Sequence, residues 1–273
     1  MKRKLLFVSS LMALVVLAFI YACQKESSTA AVDNSPFNDN SVEKNAIIAT
    51  TTFEGISDFA QAGFISTNLK AGNISIGSCP TISVNYLTAP YSITLNWGSE
   101  CGVSSGTINV SLNGLMTTTG NVATFKIENY VVDKKTVSGT TKITYSGPNP
   151  GNGWPRYDFV SEGKIVYADN TFITFRYDGV RLLAEGASTA SVLDDLWRTE
   201  IHSANGVNKD GTTWTAKSTK VMIKKGDCNW YNSGTYEITP SKGDKITIDF
   251  GDGVCDNKAT MTVGTKVTAI TLP

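Results

Sequence analysis

From Cys79 to the end of the chain, apolar side chains recur at every second position, and this rhythm restricts the fold more than any other feature of the sequence. A period of two marks a strand with one face buried and the other in water. Ile82, Val84 and Tyr86 share one such face, and Ile93, Leu95 and Trp97 share the next. Ile108, Val110 and Leu112 follow, then Phe125 and Ile127, Ile143 and Tyr145, Ile165 and Tyr167, and Phe172, Thr174 and Arg176. Further strands are predicted from Trp214 to Ile223, Tyr236 to Thr239, Lys245 to Phe250 and Lys266 to Leu272. The links are rich in Gly, Asn, Asp and Pro, and pairs such as Asp169-Asn170 and Asp210-Gly211 suit hairpin turns. The pattern predicts an all-β chain, roughly twelve antiparallel strands joined as a meander, with a sandwich or a flattened barrel to cover the apolar face.

One short helix is predicted before the sheet. Phe53, Ile56, Ala60 and Phe64 recur at helical spacing, Thr52 stands where an N-cap would, and Gly63 lies near the expected end. Residues 23–45 hold Ser, Asn, Asp and Ala with isolated apolar side chains, too few to offset ordering entropy, and are expected to form a flexible tether. Residues 46–273 then make a single domain, long enough for a sizeable core. The 24 Lys and Arg balance the 24 Asp and Glu, and no basic run follows the first residues. That balance removes the electrostatic footprint of a nucleic-acid binder.

The N-terminus carries an address. Met1-Lys2-Arg3-Lys4 supplies three cations, Leu5 to Ile20 is an apolar run of secretory length, and Ile20-Tyr21-Ala22-Cys23 closes it. A small residue followed by cysteine at this point resembles the lipobox of bacterial lipoproteins, although Tyr21 stands where that pattern prefers a small side chain. The resemblance implies that residues 1–22 are a signal peptide and that Cys23 becomes the first residue, acylated on its thiol and its amino group. Several acyl chains anchor a protein stably, which implies an exported protein held by lipid to the outer membrane, on its periplasmic or cell-surface face. Gln24-Lys25-Glu26 is faintly similar to the polar signal that sends some Bacteroidota lipoproteins to the cell surface.

Apart from Cys23 there are four cysteines, Cys79, Cys101, Cys228 and Cys255, an even number that favours two disulfides in an exported chain. No C-x-x-C spacing occurs, so a zinc site is not expected. An internal repeat sorts the pairing. ITLNWG (93–98) matches ITIDFG (246–251), each leads to a cysteine and then to a strand holding Ile108 or Met261, and each unit opens on a cysteine. A turn falls near the midpoint of each cysteine pair, at Pro90 and at Ser241-Lys242, so both thiols meet at the open end of one hairpin. Cys79–Cys101 and Cys228–Cys255 are the expected bridges, within related units at 79–112 and 228–263.

CPTISV (79–84), ITLNWG (93–98), SGTI (105–108), EGAST (185–189), NGVNKDGTTW (205–214), GTYEITPS (234–241) and DFGDGVCDNKAT (249–260) together resemble a family of Bacteroidota lipoproteins for which no activity is established. The resemblance covers most of the chain from about residue 75. It implies export, lipid anchorage and an all-β fold, and carries over no functional residue.

Candidate chemistry is sparse. His202 is the only histidine, and Asp194 or Asp195 is a possible orienting acid, but no G-x-S-x-G elbow accompanies them, so His202 is expected to face solvent or a hydrogen-bond partner. Glu185, Asp194, Asp195 and Glu200 cluster in the one long stretch without alternation, where a carboxylate pair would suit glycoside hydrolysis and a solvated loop would suit capping acids. Asp249, Asp252 and Asp256 offer oxygen ligands for calcium, yet the EF-hand register is absent and a turn rich in Asp and Gly accounts for them. Gly151-Asn152-Gly153-Trp154-Pro155-Arg156-Tyr157 places a large ring on a loop beside an arginine and a second ring, so Trp154, Arg156 and Tyr157 are the candidate ligand-binding residues. No catalytic site, metal or cofactor is expected. The sequence points to a non-catalytic binding or structural module whose partners are the membrane and a glycan or envelope protein. A carboxylate-dependent glycan hydrolase and a carrier of a lipid-like ligand are the alternatives.

Overall fold

A computed structural model describes residues 41–65, 72–75, 80–85, 90–98, 101, 104–189 and 191–272. Cys23, Cys79 and the tether as far as residue 40 lie outside the described residues. Among the described residues one helix, α1 (Val42–Ile65), precedes fourteen strands. The first seven are β1 (Gly72–Ser75), β2 (Thr81–Asn85), β3 (Tyr91–Trp97), β4 (Ser104–Leu112), β5 (Val122–Val132), β6 (Lys135–Pro148) and β7 (Pro155–Val166). The rest are β8 (Phe172–Glu185), β9 (Leu196–Val207), β10 (Thr213–Lys225), β11 (Ser233–Pro240), β12 (Ile246–Asp252), β13 (Lys258–Val263) and β14 (Lys266–Thr271). Among the described residues no helix is long and apolar enough to cross a membrane.

The antiparallel meander predicted from alternation is present, since every strand pairs with the next and the sheet order runs from β1 to β14 without a crossover. Two stacked sheets are not what forms. One continuous sheet has β1 and β14 at its edges, and so many twisted strands do not stay flat. In a flat sheet β6 and β11 would lie about 24 Å apart. Yet neighbouring residues of α1 touch both regions: Phe53 lies against Gly139 of β6, and the Glu54 carboxylate accepts a hydrogen bond from Tyr231 just before β11. The sheet therefore curls around the helix, which also meets β3 and β8.

Residues wrapped by a sheet are buried on every side, and Asn45 to Thr50 are buried without interruption. Asn45 Nδ2 donates to Asn208 Oδ1 at 3.3 Å, and Asn45 Oδ1 accepts from the Tyr167 hydroxyl at 2.9 Å, which ties the start of the helix to the ends of β7 and β9. The helix begins ten residues earlier than its expected cap. Ser41 caps it, accepting the Lys44 amide on Oγ at 3.3 Å, so residues 42–45 belong to the domain rather than to the tether. Thr50 and Thr51 bond back to the carbonyls of Ala46 and Ile47 at 3.0 and 2.9 Å, which lets a threonine run sit inside a helix instead of starting one.

The curl rests on a row of residues that runs across five strands in register. Gly139, Gly163, Phe175, Gly206 and Trp214 stand opposite one another from β6 to β10. A methyl group at Gly163 would lie 2.6 Å from Phe53 Cζ, and one at Gly206 would lie 2.4 Å from Trp214 Cζ2. Glycines in this row thus leave a notch for Phe53 and a bed for the Trp214 indole, the pairing of bare glycine with a covering ring that curved sheets use. Phe53 meets Phe175 edge-on with ring centroids 4.8 Å apart.

The matching sequences of the repeat fold as equivalent strand pairs, β3–β4 and β12–β13. Leu95 of β3 faces Ile108 of β4, and Ile248 of β12 faces Met261 of β13, so the matching sequences take the same register. Cys228 and Cys255 are joined at the open end of the β11–β12 hairpin. That bond excludes both connectivities that cross between the repeats. Cys101 is also disulfide-bonded, following β3 as the equivalent of Cys255.

Phe53→Ala is expected to lower stability by about 3–5 kcal/mol, because it empties the notch at the centre of the curl. Gly163→Ala is expected to lower it by about 1–3 kcal/mol through overpacking. Denaturant unfolding of the two variants checks both values.

Candidate functional site

Residues 149–154 join β6 to β7, and Pro148 faces Pro155 across the neck of the hairpin. The Trp154 carbonyl accepts from the Asn149 amide at 2.8 Å, and the Asn149 carbonyl accepts from the Gly153 amide at 2.7 Å. Asn152 Oδ1 takes the Trp154 amide at 3.1 Å. Gly153 has φ 74°, a left-handed conformation free of steric penalty only for glycine. The loop thus fixes where Trp154 sits.

Trp154 is half-buried rather than free, with the Arg198 guanidinium over its ring at 5.8 Å. Alternation along β7 turns Arg156 and Asp158 to the same outer face. Arg156 Nη2 and Nε lie 2.7 and 3.2 Å from Asp158 Oδ1, and the Ser146 hydroxyl donates to the other carboxylate oxygen. Burial pushes the Asp158 carboxyl up, but these hydrogen bonds and the Arg156 charge outweigh it and hold the group below its ordinary value. Register places Leu182 of β8 between Arg156 and Arg198, and Val180 between Asp158 and Glu200. The outer face here is an aromatic ring and two arginines around an apolar strip, with acids at the far side. Arg198 was not legible as a member of this group, because β9 lies in the stretch where alternation breaks down.

Tyr157 does not join them. One position out of phase with Arg156, it points inward, with its ring centroid 5.3 Å from that of Tyr145 and 5.8 Å from that of Trp197. Of the three candidate ligand-binding residues, Trp154 and Arg156 share the outer face and Tyr157 belongs to the core. Its neighbours there include Arg181, opposite it on β8, whose guanidinium lies 4.5 Å from the Trp197 ring. Glu54, Phe159, Tyr177 and Arg181 close around a cavity of about 10 Å³, the size of a single water. A lipid-like molecule has no room at that point.

The acids considered for hydrolysis fall into different settings. Asp194 is exposed and accepts the Thr189 hydroxyl at 2.9 Å, whereas Asp195 is buried where a methyl group at Gly186 would strike it. Glu200 lies on the outer strand face and Glu185 at the exposed end of β8. His202 is the extra residue of a bulge in β9, between the pairs Asp178–Ser203 and Gly179–Ile201, and it faces solvent. Asp249 and Asp256 serve turns, accepting the backbone amides of Gly251 and Lys258 at 3.0 and 3.1 Å. Among the described residues no group of His, Cys, Asp and Glu gathers around a point where a metal would sit. No known protein family, curated protein or solved structure matches the chain.

Burial, followed by the charges of Tyr145 and Asp195, pushes the Tyr157 hydroxyl up to about 12. Burial raises Tyr177, Tyr231 and Tyr236 in the same direction. The folded state therefore binds these protons more tightly than the unfolded chain, whose tyrosines titrate near 10. Stability is expected to be full below pH 10 and to fall as pH rises toward 12. Denaturant unfolding across that range checks the slope, and Tyr157→Phe should make it shallower.

Proposed function

We propose that this protein is a lipid-anchored module of the bacterial envelope that docks another envelope protein through the Trp154 cluster and catalyses no reaction. The observation that carries this reading is the division of faces. α1 occupies the concave side of the sheet, so the side chains able to meet a partner stand on the outer face of β7 to β9. Tryptophan and arginine around an apolar strip are the residue types on which protein interfaces concentrate their binding energy. Arg156, already held by Asp158, offers its remaining donors in a fixed orientation at little entropic cost. The lipobox-like end of the apolar run supports export and anchorage through Cys23, and the tether supports reach from the bilayer.

Two measurements test the reading. Cys23→Ser is expected to give a chain that incorporates no labelled lipid and keeps its leader, since only a thiol at that position receives the diacylglycerol. Normal lipid incorporation in the variant would contradict the anchor. A photo-crosslinking residue in place of Leu182 is expected to yield one discrete adduct with an envelope protein in intact cells. Trp154→Ala should remove that adduct while changing stability by no more than about 1 kcal/mol, the scale of a surface cation–π contact. An adduct that survives the substitution would dissociate Trp154 from docking.

A further inference from the structure

About 13 Å along β7 from Asp158, a groove of about 760 Å³ crosses the outer face from β7 to β11. Register fixes its walls. Glu162, Arg176, Asn205, Thr215 and Thr239 stand opposite one another in turn, one from each strand, and Thr174, Val207 and Thr213 form the parallel row. The residues between these rows point inward, so the floor at Gly163 and Gly206 is bare main chain. Four strand spacings make the groove roughly 19 Å long.

Its chemistry is selective. Arg176 Nη1 and Glu162 Oε2 pair at 3.1 Å, so the two charged side chains that line the groove compensate each other. What remains is an amide and hydroxyls, and the side chains of Asn205, Thr215 and Thr239 make no hydrogen bond to the described residues. Each strand from β7 to β11 is already paired on both sides, so a peptide finds no open edge to extend. On the same face Val207 and Phe172 stay exposed, at 37% and 46%, and give apolar surface beside the hydroxyl rows.

We infer that this groove is a binding site for a linear neutral oligosaccharide lying across the strands, with the side chains of Asn205, Thr215 and Thr239 reading successive hydroxyl groups. A strand spacing of about 4.8 Å is close to the length of one sugar residue, so the wall repeats in step with the polymer. The site is separate from the Trp154 cluster and stands whether or not that cluster docks a protein.

The test is a calorimetric titration of the detergent-solubilised mature protein with neutral oligosaccharides of glucose, mannose, xylose and N-acetylglucosamine. At least one series is expected to bind, with an affinity that does not change with salt. Asn205→Ala combined with Thr215→Val should weaken it roughly tenfold or more, as expected for two lost uncharged hydrogen bonds. The melting temperature should stay unchanged, because both side chains are exposed, and Trp154→Ala should bind as the parent does. Failure of every series to bind would overturn the proposal, as would an affinity that falls steeply with salt or a double variant that binds normally. If the sugar instead follows Trp154→Ala, it belongs to the Trp154 cluster, and the groove proposal fails while the outer face keeps its role.

Discussion

Phe53 seated over Gly139 and Gly163 is the contact on which the rest of the structure depends. Fourteen strands in one open sheet turn an apolar face inward, and among the described residues it is the helix that lies against it. A helix and a sheet normally keep their distance because side chains project from both. Here the sheet presents main chain at the point of closest approach, which lets the Phe53 ring reach the strands and the strands bend about it. The edge-on contact with Phe175 and the Trp214 ring over Gly206 continue the same packing across the sheet.

This closure decides where function can lie. Inside, Glu54 bonds to Tyr231 and faces a cavity no larger than a water, with Arg181, Tyr157 and Tyr177 around it. Polar groups that are buried and hydrogen-bonded fix one arrangement of helix against sheet, because any slip would strand them without partners. The interior is thus given to specificity of folding. Recognition falls to the outer face, where Trp154, Arg156 and Arg198 form one chemical surface and the threonine and asparagine rows form another.

Strand existence was legible from period two, and the face shared by Ile93, Leu95 and Trp97 is a buried one. The repeat also carried through, because a shared register requires the matching spacing that ITLNWG and ITIDFG have. Three things were hidden. Gly139, Gly163 and Gly206 read as punctuation, although they are spaced so that pairing brings them into one row, and pairing is not visible in a single strand. The start of α1 was obscured because threonine side chains satisfy themselves within a helix as readily as they cap one. The fate of Tyr157 follows from phase: once Pro155 opens β7, Arg156 and Tyr157 must face opposite ways, and a loop reading of 151–157 missed that boundary by three residues.

A double-mutant cycle between Phe53 and Gly163 tests the central contact directly. Each substitution alone disturbs many neighbours, but the coupling between them isolates the seating of the ring in the notch. If Phe53 holds the curl through bare main chain, Gly163→Ala should cost at least about 1 kcal/mol less in a chain already carrying Phe53→Ala than in the parent. Unfolding free energies that add to within about 0.5 kcal/mol would show the two sites to be independent and would contradict this account of how the sheet closes on its helix.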